Sequence, residues 1–268
     1  MGDPRAGLVI EETGFRKQGT KSVGVKRHYR GTAGRIANCQ LGVFLTYAAP
    51  QGQVLLDREW SFPREWADDA PRRRAAGVPE GVRFATQPQL ARRLLERALG
   101  AGVPAAWVRG DRVYGGDRRR RVWLEQPPLV LAVKSDAPWF AVLDGPWGQP
   151  RADVLAPPLP PTPWRRLSAG QGATGPRWYD WARRRRARRQ LTRRQLTAAE
   201  RRWDHGLLGR RSDPTERAYD VVFAPAGTSL RPLARVAGER WRIAQSFELA
   251  KGEVGLDPYD GGMAGLAR

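Results

Sequence analysis

The chain has 268 residues and a mass of 30.0 kDa, enough for one large domain or two small ones with a substantial core. An apolar content of 41% with 11 tryptophans argues against intrinsic disorder, and a single cysteine excludes a disulfide scaffold or a cysteine-rich zinc site. The formal charge of +20 favours a polyanionic partner, chiefly DNA or RNA, although a GC-rich coding bias also explains part of the arginine excess.

The first 70 residues predict β-strands. Residues 7–10 form a short apolar run, and apolar residues alternate or cluster over 22–29, 39–49 and 53–62. Pro50, Gln51 and Gly52 predict a turn between the last two runs. These segments together indicate an antiparallel meander.

The period of the apolar residues then changes. Residues 86–99 predict an amphipathic helix with Thr86 as its N-cap, stopped by glycines at 100 and 102. A buried strand over 105–108, a short helix over 117–125 and a second buried strand over 129–133 are expected to follow. This order of elements favours an α/β fold.

The second half is more irregular. Residues 136–163 are Pro-rich and read as loop, and residues 177–217 carry 14 arginines against five acids. The arginine density favours disorder over 182–202. A strand is expected over 219–224 and a helix over 233–251, followed by a Gly-rich tail.

Two acidic residues are placed where they could bind metal ions. Glu11 ends the first predicted strand and Asp111 follows the strand at 105–108. Acids at the ends of adjacent strands can converge on a pair of divalent cations for phosphoryl chemistry. The alternative is that each acid is a solvated charge or a turn cap. Residues 14–22 resemble a P-loop, but Thr20 interrupts the required Gly-Lys-Ser order. Cys39 and His205 are interpreted as structural residues.

Several short strings resemble the DDE transposases of bacterial insertion sequences, in particular the insertion-sequence-701 type. Each string is weak alone, but they occur in the order of that family over about residues 7–259. They are Val9–Phe15, Gly19–Val25, Gly31–Gln40, Ala105–Gly115, Ser212–Glu216, Phe223–Gly227 and Ala250–Asp257.

The resemblance implies an α/β, ribonuclease-H-like core of mixed sheet and helices, interrupted by a β-rich, Arg-rich insertion. Residues 1–135 would form the first part of the core, 136–232 the insertion, 233–259 a core helix with the third catalytic motif, and 260–268 a disordered tail. The family cuts and joins DNA at the ends of insertion elements, using Mg²⁺ or Mn²⁺ held by an Asp-Asp-Glu triad. The corresponding expectations are a DNA partner, a homodimer and a cytoplasmic location. Neither a membrane partner nor a small-molecule cofactor is expected.

The triad itself departs from the family pattern. The first acid is Glu11 instead of aspartate, Asp111 matches the second, and the position of the third is Ala244. Glu248 lies one helical turn later and is the candidate substitute. Glu11 and Asp111 are the expected metal ligands, and the chain also looks truncated at both ends relative to the family.

Basic residues provide the expected DNA contacts. Arg240 and Lys251 match the arginine and lysine of the late-helix signature, and aromatic residues flank an arginine run that could track phosphates. The alternative for the run is a solvated charged stretch. Three readings follow: an impaired transposase, an inactive DNA-binding remnant, or an unstable pseudogene product. The run consists of Arg183, Arg184, Arg185, Arg186, Arg188 and Arg189.

Overall fold

The computed structural model describes residues 2–17, 19–30, 35–115, 129–133, 152, 164–172, 175–186, 201–213 and 216–253. These residues belong to two compact units. The first unit contains residues 1–9, 47–54 and 103–242, and the second contains 10–46, 55–102 and 243–268.

Ten strands and five helices account for most of the described residues. The strands are β1 (Gly7–Arg16), β2 (Lys26–Arg30), β3 (Arg35–Ala49), β4 (Gly52–Trp60), β5 (Trp107–Gly110), β6 (Leu129–Val133), β7 (Arg165–Gly172), β8 (Gly175–Arg186), β9 (Trp203–Arg211) and β10 (Arg217–Pro225). The helices are α1 (Arg64–Ala67), α2 (Ala70–Ala75), α3 (Gln87–Gly100), α4 (Arg112–Gly115) and α5 (Leu230–Glu253).

The first unit contains a mixed sheet in the order β1-β5-β6-β10-β9-β8-β7. Strands β5 and β6 are parallel, and the register pairs Val108 with Leu129. From β6 onward the neighbours are antiparallel. Mixed sheet and helices together confirm the α/β, ribonuclease-H-like fold class expected from the sequence.

The core of the first unit lies between this sheet and the first half of α5. Trp181 on β8, Leu208 on β9 and Val222 on β10 are fully buried against Leu233 and Val236 of the helix. The helix and β7 pack so closely that a Cβ on Gly238 would overlap the carbonyl oxygen of Ala169. The apolar period that predicts this helix from the sequence therefore marks its contact with the sheet.

The second unit combines strands β2, β3, β4 and the later part of β1 with helices α1 to α3. Strand β3 lies between β2 and β1 in the sheet, and it also pairs with β4. Trp66 of α1 is 1% exposed, and its indole N–H donates to the Val25 carbonyl oxygen at 2.9 Å. Helix α3 begins after Thr86, whose backbone N–H donates to Gln89 Oε1 at 2.8 Å, as the capping pattern predicts.

The secondary structure of the arginine run differs from the sequence-based prediction in one respect. Disorder was expected over 182–202, but β8 continues to Arg186 because its backbone pairs with β9 as far as His205. The helix expected at 117–125 and the tail from 254 lie outside the described residues. Among the described helices, none is long and apolar enough to cross a membrane.

Candidate functional site

Asp111 lies at the junction of β5 and α4 in the first unit. Its Oδ1 accepts a hydrogen bond from the Val113 amide at 2.7 Å, and its carbonyl oxygen accepts from the amides of Tyr114 and Gly115. An aspartate at this position ends the strand and caps the following turn. The side chain is 6% exposed, so the carboxylate is held by the backbone in a fixed orientation.

Arg240 approaches the other oxygen of this carboxylate. Its Nη2 lies 3.7 Å from Asp111 Oδ2, and its side chain is 39% exposed. The late-helix arginine and the second acid of the family pattern are therefore brought together within one unit. The contact is partly open to solvent, which weakens it relative to a buried pair.

A second ion pair begins at Arg109, two residues before Asp111, and could not be predicted from the sequence. Arg109 Nη2 is 3.1 Å from Asp220 Oδ1, with side chains 5% and 7% exposed. Arg109 lies in the short strand β5. Alternation of residues along a strand predicts which side chains are buried or exposed, but it does not predict their partners. Nothing in the local sequence identifies Asp220 as its partner, because β10 lies more than a hundred residues later.

Glu239 is a further acid in this unit, partly buried, and its Oε2 atom is shielded from solvent. Burial raises the pKa of Glu239 to about 7, although the nearby Arg235, Arg242 and Arg109 favour the charged form. Its Oε2 stands 2.9 Å from where a Cβ on Gly7 would be. Burial likewise lowers the pKa of Arg210, which stacks over the rings of Tyr179 and Trp241.

Glu11 and Lys251 lie in the second unit. Glu11 is 7% exposed on β1. The Lys251 ammonium donates to the carbonyl oxygen of Gly14 at 2.8 Å and to the hydroxyl of Thr13. It also lies 5.4 Å from the centroid of the Phe15 ring. The signature lysine on α5 thus meets the Thr-Gly string that follows the first acid.

The described residues do not fit a two-metal site. No group of three His, Cys, Asp or Glu side chains in the described part of the chain is arranged to hold a metal ion. Ala244 carries no donor atom, and both oxygens of Asp111 face protein donors. Glu248, the candidate substitute, is exposed on α5.

The arginine run divides into three groups. Arg183 turns into the first unit, where Nη1 donates to the Thr228 carbonyl oxygen at 2.8 Å and Nη2 lies 3.6 Å from Asp204. Arg184 is half-buried, and Arg185 and Arg186 are paired through their backbones with Gly206 and His205. Arg188 and Arg189 lie outside the described residues.

Cys39 and His205, which the sequence analysis interprets as structural residues, are both buried. Cys39 is 1% exposed on β3. His205 is 9% exposed on β9, and its ring lies 4.8 Å from that of Phe223. Burial among neighbouring side chains agrees with the packing roles that the sequence suggests for both.

Comparison with known proteins places the chain in a family. The family model described as DDE superfamily endonuclease matches residues 1–199 of the chain. No curated protein matches the sequence. Among solved structures, the NurA nuclease from Sulfolobus solfataricus is similar with a TM-score of 0.32 and 10% identity, covering 87% of this chain and 72% of that one. By its sequence, this chain belongs to the DDE superfamily endonucleases.

Proposed function

We propose that the chain is a transposase-like DNA-binding protein of the insertion-sequence type whose own DNA strand cleavage is lost or strongly weakened. Family membership supports a nuclease or transposase-like function, because DDE endonucleases act on DNA. The observation that carries the proposal concerns the triad positions: Asp111 is engaged by Arg240 and a backbone amide, and Ala244 offers no third carboxylate.

The remaining acids have distinct assigned roles in this proposal. Glu11 and Asp111 correspond to the first two acids of the triad, and Glu248 is the candidate for the third; in this proposal the three acids bind divalent metal weakly or not at all. The group they would hold, Mg²⁺ or Mn²⁺, supplies activation of the attacking oxygen in this family. Glutamate at position 11 is one methylene longer than aspartate, which displaces its oxygens in a site that depends on sub-ångström placement.

DNA binding is the activity proposed to remain. The charge of +20 supports attraction to a polyanion. Arg240 and Lys251, which match the late-helix signature, are assigned phosphate contacts. The arginine run from 183 to 189 is assigned to the flanking DNA, with Arg183 contributing less because of its internal contacts. In this proposal the DNA target is the end of an insertion element, and the protein acts as a homodimer.

The proposal is tested by nicking of supercoiled plasmid and of element-end DNA with Mg²⁺ or Mn²⁺. Wild-type protein is expected to remain at background. The double variant Glu11→Asp/Ala244→Glu is expected to gain metal-dependent nicking, because it restores both altered acids. Addition of Asp111→Asn to the double variant is the matched control and should abolish the gain.

Wild-type nicking that disappears in Asp111→Asn would contradict the proposed loss of cleavage. In that case Glu248→Gln decides whether Glu248 serves as the third acid. The DNA-binding part is measured separately, by fluorescence anisotropy with a duplex at increasing salt. Affinity should fall steeply with salt if arginine–phosphate contacts dominate, and absence of duplex binding at low salt would contradict this part.

A further inference from the structure

One face of strands β7, β8 and β9 combines an exposed tryptophan with paired arginines. The register places Ser168 opposite Trp178 and Arg166 opposite Asp180. It also places Asp180 opposite Arg211. Side chains of directly opposed residues point to the same side of a sheet. We name this set the Trp178 face: Trp164, Arg166, Ser168, Trp178, Asp180 and Arg211.

The opposite side of the same strands is used for folding. Trp181 is fully buried there, and the Tyr179 ring stacks on Trp241 of α5 with centroids 5.4 Å apart. Leu208 is also fully buried against that helix. The aromatic residues of that side therefore serve the core, and the Trp178 face needs a different explanation.

The Trp178 face is open and its cations are held in place. The Trp178 residue is 51% exposed, and the side chain of Arg166 is 55% exposed. Asp180 lies 3.5 Å from the Arg166 guanidinium and 3.3 Å from that of Arg211. The Arg211 guanidinium also covers the Trp164 ring at 4.5 Å. One carboxylate thus orients two guanidinium groups between two indole rings.

The charge of these strands indicates the class of ligand. Strands β7, β8 and β9 carry nine arginines against two aspartates. Arg183 and Arg210 make contacts on the folding side, whereas Arg166 and Arg211 belong to the Trp178 face. A positive surface with an exposed ring suits a ligand that presents both phosphates and flat aromatic groups. A paired duplex hides its base faces in the stack, whereas a single strand exposes them.

We propose that the Trp178 face binds single-stranded DNA. Trp178 stacks on an unpaired base, while Arg166 and Arg211 contact the phosphates on either side of it. Trp164, four residues before Ser168 and about 13 Å away along the strand direction, provides a second ring beneath Arg211. This inference rests on the proposed DNA binding and specifies the form of DNA that this surface recognises.

The test compares a labelled 20-nucleotide single strand with its blunt duplex by fluorescence anisotropy. Trp178→Leu is expected to weaken single-strand binding by about 5- to 150-fold, the range for loss of one base–aromatic stack, and duplex binding by less than about twofold. Trp178→Phe should retain most of the affinity because the aromatic ring remains. Arg166→Gln/Arg211→Gln should reduce the salt slope by about 0.7 per lost phosphate contact.

Phe84→Leu is the matched control. Phe84 is an exposed aromatic residue in the second unit, and the Arg64 guanidinium lies 4.6 Å from its ring centroid. Its substitution should leave both affinities unchanged. Thermal unfolding of each variant checks that the fold is retained, which is expected because both rings are partly exposed.

Four results would overturn the inference. Equal effects of Trp178→Leu and Phe84→Leu would remove the special role of the Trp178 face, as would equal weakening of single-strand and duplex binding by Trp178→Leu. If wild-type protein binds duplex and Trp178→Leu leaves single-strand binding unchanged, this inference fails and the proposed function stands. If wild-type protein binds neither form of DNA, both fail.

Discussion

The ammonium of Lys251 donates to the Gly14 carbonyl oxygen at 2.8 Å, joining residues 237 positions apart in the sequence. Both residues belong to the second unit. Gly14 belongs to the string that contains the first acid, and Lys251 belongs to the late-helix signature. The two ends of the family pattern therefore meet through a charge-assisted hydrogen bond.

Replacing this lysine by methionine is expected to lower the free energy of unfolding by about 1.5–3 kcal/mol, the range for loss of a hydrogen bond to a charged group. Methionine keeps most of the aliphatic stem but removes the donor. The measurement is urea denaturation at pH 7. Lys21→Met is the control, because Lys21 is exposed, and equal stability losses in the two variants would contradict a structural role for the Lys251 contact.

Among the described residues of the first unit, the Arg109–Asp220 pair is expected to be the ion pair most sensitive to substitution. Arg109→Met removes the cation that lies 3.1 Å from the buried Asp220 carboxylate, which costs about 3–5 kcal/mol at a pair whose side chains are 5% and 7% exposed. The double variant Arg109→Met/Asp220→Leu should recover part of that loss. A double-mutant cycle by denaturation measures the coupling, and additive losses would argue against it.

Much of the architecture could be predicted from the sequence. The period of apolar residues indicated α3 and α5 because each buries one face, and the apolar run at 129–133 indicated β6. Pairing over long separations could not be predicted. Burial of Arg109 against Asp220, and continuation of β8 into the arginine run, both depend on strands contributed by distant parts of the chain.

The candidate site was only partly accessible to the same reasoning. Family strings suggested Asp111, Arg240 and Lys251 as candidate site residues, and the structure places the first two in contact. The strings carry no information on the Trp178 face, because its members are spread over three strands and only the register brings them to one side. Alternation within β8 alone separates Trp178 from Tyr179 but does not reveal which ring faces the core.

Glu239 should make stability fall as pH rises. Burial raises its pKa from 4.5 to about 7, so the folded protein keeps this proton over a range in which the unfolded chain has released it. The associated loss develops between about pH 4.5 and 7 and amounts to about 3 kcal/mol. Glu239→Gln should remove this component, making the variant more stable than wild type above pH 7.

Denaturation midpoints of both proteins from pH 4.5 to 8 give the comparison. The difference between the two curves is the informative quantity, because all other titrating groups are shared. Curves that remain parallel across this range would show that Glu239 does not retain its proton in the folded state.

Two glycines of α5 should respond in opposite directions to alanine. A Cβ at Gly238 would overlap the Ala169 carbonyl oxygen, whereas a Cβ at Gly252 would meet no atom within 4 Å. Gly238→Ala must push the helix away from β7 and is expected to destabilise by about 1–3 kcal/mol or more. Gly252→Ala should stabilise by up to about 1 kcal/mol through its higher helix propensity.

The pair is informative because the chemical change is the same on one helix. Thermal and urea denaturation of both variants measure the two effects against a common wild type. A neutral Gly238→Ala would mean that α5 does not pack against β7 at this distance. Destabilisation by Gly252→Ala would instead indicate that the end of α5 is not helical in solution, since an added methyl group in an exposed helical position has no clash to offset its favourable backbone effect.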